Sequence, residues 1–566
     1  MKKIALLDVA LAAALIISVY LQFAGITWGL PSWERTLMVF GSKAQVEENI
    51  SAMLASREQF YGEKNKLGEV YVGQRAESGR PAVYELTKQE LLGSVRSFFL
   101  GSAIGDETWT ISIISRMHPS QLDFNPKVFI YGGAYIYSAC FFLVLASLFK
   151  IAVLTSSFSY YFLHPEAIAG IFTAFRLLSA LSTVLTAVVI YLTFKGHYRK
   201  RVLAAAVIIF LTAPVIIYHS HIAKPHAFSM LWATLAFFCF MKIANDIERS
   251  RYYILGGIFA GLSAGSLYPN GLIILTLLFA QYRKTNSIKS FFAPNMFKSA
   301  AAAAAAFVAT NPYMFSKAFL GTFGATSKVW GYGMVSAGRS AETIKLLFSG
   351  GVSWAVSILI ISGIIAVVMR KNEASRYVLF TAGSLVLFNL AFLKHIGVFT
   401  VSLPYLAVIA ALGAEHIVSN TRTRYFGGAA LCLIFSVIML DACSSSSLFV
   451  KKPIYQTVGE WINSELPKGS SIGLMEDENI RPADVPYFHL FDYRVFCYRN
   501  DFLEKGFGGE TPRYLVVGEY GLRNGNVPGS QYATKKAFAS RNNYINGITR
   551  NNFIKAGDMY IVEKKL

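Results

Sequence analysis

Asp106 and Glu107 are adjacent acids in Gly105-Asp106-Glu107-Thr108-Trp109. They precede Arg116-Met117-His118-Pro119 and Asp123-Phe124-Asn125-Pro126, and then Tyr131-Gly132-Gly133-Ala134-Tyr135. A carboxylate held beside aromatic side chains at a membrane surface can act as a general base, because poor solvation raises its proton affinity. On an exposed loop, by contrast, an acid pair is usually only solvated, and catalysis rests on the pair being held in a structured site. Asp106 and Glu107 are therefore candidate catalytic residues, with Arg116 and Tyr131 as candidate substrate contacts.

Other polar groups cluster beside apolar blocks. Glu34, in Pro31-Ser32-Trp33-Glu34-Arg35, is a second candidate acid, although Trp28 and Trp33 around it also suit an interfacial belt. The run His219-Ser220-His221-Ile222-Ala223-Lys224-Pro225-His226 offers three histidines and a lysine. Its spacing fits no common zinc pattern. His221, Lys224 and His226 suit contacts to phosphate or sugar, and the plainer reading is an interfacial helix cap. The segment 316–345 carries Lys317, Lys328, Trp330, Tyr332 and Arg339. Aromatics stack on sugar rings and cations meet phosphate, so Lys328 and Arg339 are candidates, with Lys394 a further cationic point. An ordinary connecting loop explains the same residues equally well.

The elements that must position these groups are apolar. Of the 566 residues 54% are hydrophobic and only 15% charged, with a mean hydropathy of +0.44. A soluble domain carries roughly 25% charged residues. The apolar residues fall in blocks of about 20, the length of a membrane-crossing helix. Blocks at 4–24, 166–194, 202–219, 227–243, 253–268, 271–282, 299–315, 346–369, 376–393, 397–418 and 424–442 predict a polytopic α-helical membrane protein of about 11 spans. The first block has no small-residue cleavage site and reads as an uncleaved helix. The net charge of +20 concentrates in linkers 195–201, 242–251, 283–289, 370–376 and 422–424, which the positive-inside rule assigns to the cytoplasm. Nucleic-acid binding is not the meaning of this charge.

This threading predicts four regions: a first transmembrane helix, 1–24; an outer-loop subdomain bearing the acid pair, 25–127; a multi-span core, 128–442; and a small outer α/β domain, 443–566. Residues 129–150 are long enough to span, but a lone span there would invert the charge bias of every later linker. They are expected along the interface, re-entering, or paired with 151–163. Tyr268-Pro269-Asn270-Gly271 predicts a tight turn. Gly257, Gly261 and Gly265, with the run Ala300–Ala306, have the spacing of close helix packing. Ser444–Ser447 reads as a linker. Beyond it 455–465 reads as an amphipathic helix, and 471–475, 493–498, 514–517 and 559–563 as strands. A Cys443–Cys497 disulfide is open on spacing alone.

In their order these motifs resemble the membrane glycosyltransferases of the GT-C fold, of the protein O-mannosyltransferase and aminoarabinose-transferase type (family 39-like). The acid pair, then Asn125-Pro126 and Tyr131-Gly132-Gly133, follow that family's order. So do Pro165-Glu166 through Arg176-Leu177-Leu178-Ser179-Ala180-Leu181, Ser220-His221-Ile222-Ala223-Lys224, Gly261–Gly265 and Thr310-Asn311-Pro312-Tyr313. The chain departs from it at His226, where many relatives carry an acid, and at Gly397-Val398-Phe399, where many carry Arg-Tyr. The resemblance implies a polyprenyl-phosphate-linked sugar as donor and a lipid, glycan or protein as acceptor. It implies one inverting displacement with Asp106 as general base, and Glu107 orienting the acceptor or supporting Asp106. No cofactor is required, and a divalent cation bridging Asp106 and phosphate is compatible with the scheme. The implied location is the plasma (inner) membrane, with the N-terminus cytoplasmic and the C-terminal domain outside. A transporter or flippase of a lipid or glycan is the alternative. It needs mid-membrane charges or repeated halves. An assembly scaffold is the third class.

Overall fold

The computed structural model describes residues 6–62, 83–245, 249–322, 337–370, 372–393, 396–419, 424–476, 487–499, 510–518, 531–539 and 558–565. Helices dominate the first four-fifths of the chain and a six-stranded sheet the remainder. Among the described residues five helices are long and apolar enough to cross a membrane, and up to seven spans result if each of two bent pairs counts as one. The chain is thus an integral membrane protein by its helices, and the about 11 blocks read from hydropathy include helices shorter than a full crossing. Leu6–Tyr20 (α1) is one of these.

α8 (Pro165–Phe194) is the longest span, with 30 residues. The next block is broken. α9 (Lys200–Thr212) and α10 (Pro214–Ser220) meet at 63°. Pro214 has no N–H to continue the ladder, which forces the break. The carbonyl of Leu211 that the break frees accepts from Gln22 Nε2 at 2.7 Å. α11 (Pro225–Ala244) then returns through the core.

Small residues set the closest contacts. A Cβ on Gly257 of α12 (Ser250–Ser266) would lie 2.2 Å from the Ser299 carbonyl oxygen, and one on Gly261 2.3 Å from that of Ala303. Both partners belong to the alanine-rich helix Pro294–Thr310. The glycine series and the alanine run are therefore two faces of one contact, and backbones approach there because neither side carries bulk. The turn at Tyr268–Ile273 is a 3-10 segment, pinned by Asn270 Nδ2 donating to Ser229 Oγ at 2.9 Å.

Residues 133–148 form one helix (α6, Gly133–Leu148) against α8 and α12. Its 16 residues reach about 24 Å, short of a ~30 Å hydrocarbon core. Its N-terminus is the joint of three sequence motifs. A Cβ on Gly132 would meet the Gly265 carbonyl oxygen at 1.9 Å, and one on Gly133 that of Thr310 at 1.9 Å. Asn311 Oδ1 accepts from Gly133 N at 2.8 Å.

The cationic linkers meet at one end of the bundle. Arg201 pairs with Asp8, Arg283 with Glu373, and Tyr198 hydrogen-bonds Ser375. The histidine-rich segment, between α10 and α11, lies at the other end of these helices from Lys200 and Lys242, and the acid pair lies beside it through Lys224 and Ala223.

The sheet runs β1-β3-β2-β4-β6-β5: β1 Val83–Glu85, β2 Ser471–Glu476, β3 Arg494–Arg499, β4 Tyr514–Gly518, β5 Tyr532–Phe538 and β6 Met559–Lys564. Four of these are the strands expected from sequence, and β1 and β5 are additional. β1 comes from the segment before the acid pair and pairs antiparallel with β3. Val39, Phe40, Leu91 and Phe99 of that segment share a core with Val458, Ile462, Ile472 and Leu474. Segment 25–127 and the C-terminal region are thus knit together. Ser444–Ser447 is not a linker: the helix Arg424–Ser447 runs through it, with Ser445 Oγ donating to the Asp441 carbonyl four residues back. No disulfide joins Cys443 and Cys497: Cys443 is exposed and Cys497 is buried in β3. This removes the disulfide left open by spacing.

Candidate active site

The acid pair forms a short 3-10 turn, Gly105–Glu107, ahead of α5 (Thr108–Ile114). The two carboxylates point into different environments. Glu107 is fully buried. Its Oε1 accepts from Arg176 Nε at 2.8 Å and from Ala223 N at 2.7 Å, and its Oε2 accepts from Arg176 Nη2 at 2.6 Å and from Ser102 Oγ. Arg176, also fully buried on α8, spends Nη1 on the carbonyls of Ile26 and Trp28, each at 2.8 Å. One guanidinium and one carboxylate thus tie the first loop, the acid turn, α8 and the 221–224 segment into a single knot.

Asp106 faces out. Its side chain is 38% exposed, and its Oδ2 accepts from Lys224 Nζ at 2.6 Å. Lys224 is only 11% exposed in its side chain and caps the start of α11. Tyr131 is buried, and its hydroxyl donates to the Asp106 carbonyl at 3.4 Å. The 221–224 segment is fixed from both sides: Thr110 Oγ1 donates to the Ala223 carbonyl, and Ser179 Oγ to that of Ile222, each at 2.8 Å. The result is one accessible carboxylate beside one ammonium, on a scaffold fixed by buried hydrogen bonds.

Asp106, Lys224 and Tyr131 of the expected site are brought together. Glu107 is adjacent but cannot reach an acceptor, because every approach is filled by Arg176, Ser102 and Ala223. It holds the site in position. His221 is fully buried, stacked 4.3 Å from Phe449, with Nε2 2.9 Å from the Ala24 carbonyl. His226 is buried and stacked on His219 at 4.3 Å. Neither imidazole is presented to a ligand; both pack the helix ends. Glu34 is exposed and accepts from Lys452 Nζ at 3.3 Å and Gln456 Nε2 at 2.8 Å, which makes it a tie to the C-terminal domain. Arg116 is half-buried just past α5, its backbone N–H closing the helix on Ile113. Lys328 and Lys394 lie outside the described residues, as does the side chain of Arg339, whose backbone belongs to the helix Ala337–Leu346. Among the described residues no three His, Cys, Asp or Glu side chains gather to hold a metal.

Arg176 is the residue that sequence reasoning passed over as part of a motif. The signal was available: beyond Glu166 in the first turn it is the one charge in this 30-residue helix, and a charge at that depth needs a partner.

Residues 166–321 match the family model of the dolichyl-phosphate-mannose-protein mannosyltransferases. The match spans the helices that carry Arg176, Ala223 and Lys224, and meets the resemblance drawn from the short motifs. No protein of curated function matches the sequence. Among solved structures, the Archaeoglobus fulgidus oligosaccharyltransferase tethered with an acceptor peptide is similar at 13% identity and a TM-score of 0.41, over 69% of this chain. The chain spans 60% of that enzyme's length. ArnT from Cupriavidus metallidurans is similar in its apo state (11% identity, TM-score 0.41) and bound to undecaprenyl phosphate (10%, 0.39). Each covers 81% of this chain, and 93% and 96% of theirs.

Proposed function

We propose that the protein transfers a sugar from a polyprenyl-phosphate donor to an acceptor hydroxyl at the non-cytoplasmic membrane face, with Asp106 as general base. The observation that carries this reading is the division of labour in the acid pair. Glu107 is consumed by the scaffold, whereas Asp106 stays reachable beside Lys224. A general base needs that combination of fixed position and open access.

In the proposed step the acceptor O–H gives its proton to Asp106. The acceptor oxygen bonds to the anomeric carbon from the face opposite the phosphate. The bond from that carbon to the phosphate oxygen breaks, and its electron pair leaves on the phosphate. Configuration inverts, because there is one displacement. Lys224, held against Asp106, is placed to offset charge on the departing group. The polyprenyl chain is too apolar for water, so the site must open to lipid as well as to the outer solution. Lys328, Arg339 and Lys394 remain proposed phosphate contacts, and a divalent cation at Asp106 is compatible with the step.

The test is transfer of radiolabelled sugar from lipid donor in membranes. Asp106→Asn should insert and fold as the wild type does, and lose transfer. Full transfer by that variant removes Asp106 from the role; no transfer by the wild type with any polyprenyl-phosphate sugar removes the reading.

A further inference from the structure

A cavity of about 470 Å³ opens on the other side of the loop that backs the Arg176–Glu107 knot. Its wall runs through residues 27–35, the first turns of α8, and Pro453, Gln456 and Tyr487 of the C-terminal domain. The volume falls within the range of small-ligand sites, about 300–1,000 Å³.

Arg35 lines this cavity and is only 6% exposed. Its Nη1 donates to the Gly29 carbonyl at 3.3 Å and its Nη2 to the Gly101 carbonyl at 2.7 Å, and the guanidinium lies over the Tyr487 ring at 5.0 Å. Among the described residues no carboxylate pairs with it. Glu34 is engaged with Lys452 and Gln456, and Glu166, which lines the same cavity, accepts from Trp33 N at 3.0 Å and makes no ion pair with Arg35. Two backbone carbonyls satisfy donors but do not neutralise charge. A buried cation without a counter-ion is costly, and one facing a cavity invites an anion. Between apolar stretches at Leu30, Pro31, Ala169 and Pro453 the lining also offers hydroxyl, amide and carboxylate groups, which read sugar hydroxyls.

We propose that this cavity is the acceptor subsite for an acidic saccharide, with Arg35 taking its carboxylate or phosphate and Thr27, Ser32, Thr173, Glu166 and Gln456 its hydroxyls. The word acceptor rests on the transferase reading; the binding does not. The wall is shared with the active site. Gly29 O receives both Arg35 and the backbone N–H of Ala103 (2.7 Å), while Trp28 O receives Arg176. A ligand on Arg35 is therefore registered against the turn that carries Asp106.

The test is titration of the full-length protein in phosphatidylcholine nanodiscs with glucuronate, glucose 6-phosphate and glucose. Both acids should bind at least about tenfold more tightly than glucose, the contribution of one charge-assisted contact. Arg35→Gln should lose that preference. Ala169→Trp, which fills the cavity and leaves the two carbonyl bonds of Arg35, should lose binding altogether. Asp106→Asn should bind as the wild type does, so failure of the transferase reading leaves this result intact. Equal binding of glucose, no binding of either acid, or full binding by Ala169→Trp overturns the proposal. Displacement of the acids when the discs contain phosphatidylglycerol also overturns the saccharide assignment and gives the site to a lipid headgroup.

Discussion

Arg176 and Glu107 face each other through two hydrogen bonds, 2.8 and 2.6 Å long, with both side chains wholly out of solvent. Removing one partner of such a pair leaves a buried charge uncompensated, at a cost of about 3–5 kcal/mol. Arg176→Met should therefore lower the unfolding temperature of the solubilised protein far more than Asp106→Asn does. The double variant Arg176→Met/Glu107→Gln should recover part of the loss, because no bare charge remains. An Arg176→Met protein as stable as the wild type would show that the pair is not what holds the turn.

What was legible in the sequence divides along physical lines. The apolar blocks, the two ends of the bundle and four strands follow from periodicity and charge, which are local signals. The approach of Lys224 to Asp106 bridges 118 positions and is visible only through the order of motifs. β1 is three residues long, and β5 has the exposure pattern of an edge strand, with Lys535 and Lys536 outward. Lysines protect an edge from unwanted pairing and erase the alternation that marks a strand. The histidines misled because type and spacing do not reveal burial. His221 and His226 are interior rings, each stacked on another ring.

The glycine joint at the start of α6 makes a second prediction. Gly132→Ala places a methyl against the Gly265 backbone, so α6 and α12 must separate. Overpacking of this kind costs about 1–3 kcal/mol. Gly383→Ala is the control, since its Cβ meets nothing within 4 Å. The unfolding temperature should fall for the first and not for the second. Equal values would mean that the joint yields freely.

The sheet should respond to acid. Hydrogen bonding from Lys535 holds the Glu563 carboxyl below the usual range against the opposing effect of burial, and Arg513 adds to it. A carboxyl depressed in the folded state binds fewer protons than in the unfolded chain. Its contribution is whole above the ordinary carboxylate range and is lost as pH falls through that range and below. Unfolding temperature measured from neutral pH to about 3 should drop, and Lys535→Gln should flatten the part of the drop due to Glu563. An identical profile in that variant would discharge Glu563 from the effect.

In the proposed step Lys224 is the side chain on which the chemistry would most depend after Asp106. Its ammonium lies 2.6 Å from the carboxylate, and its stem is buried at the start of α11, so its position is set by the scaffold. If it serves the developing phosphate charge, its loss acts on the transition state more than on the bound donor. Lys224→Ala should then lower kcat by about a hundredfold, as for removal of a single preorganised donor, with a smaller change in donor KM. Lys224→Arg keeps the charge but not the compact point geometry, and should fall between the two. Should Lys224→Ala raise the donor KM and leave kcat unchanged, the residue holds the donor uniformly and gives nothing special to the step. Should it change neither, the 2.6 Å contact only fixes Asp106 in the resting protein, and the cation that meets the leaving phosphate is another.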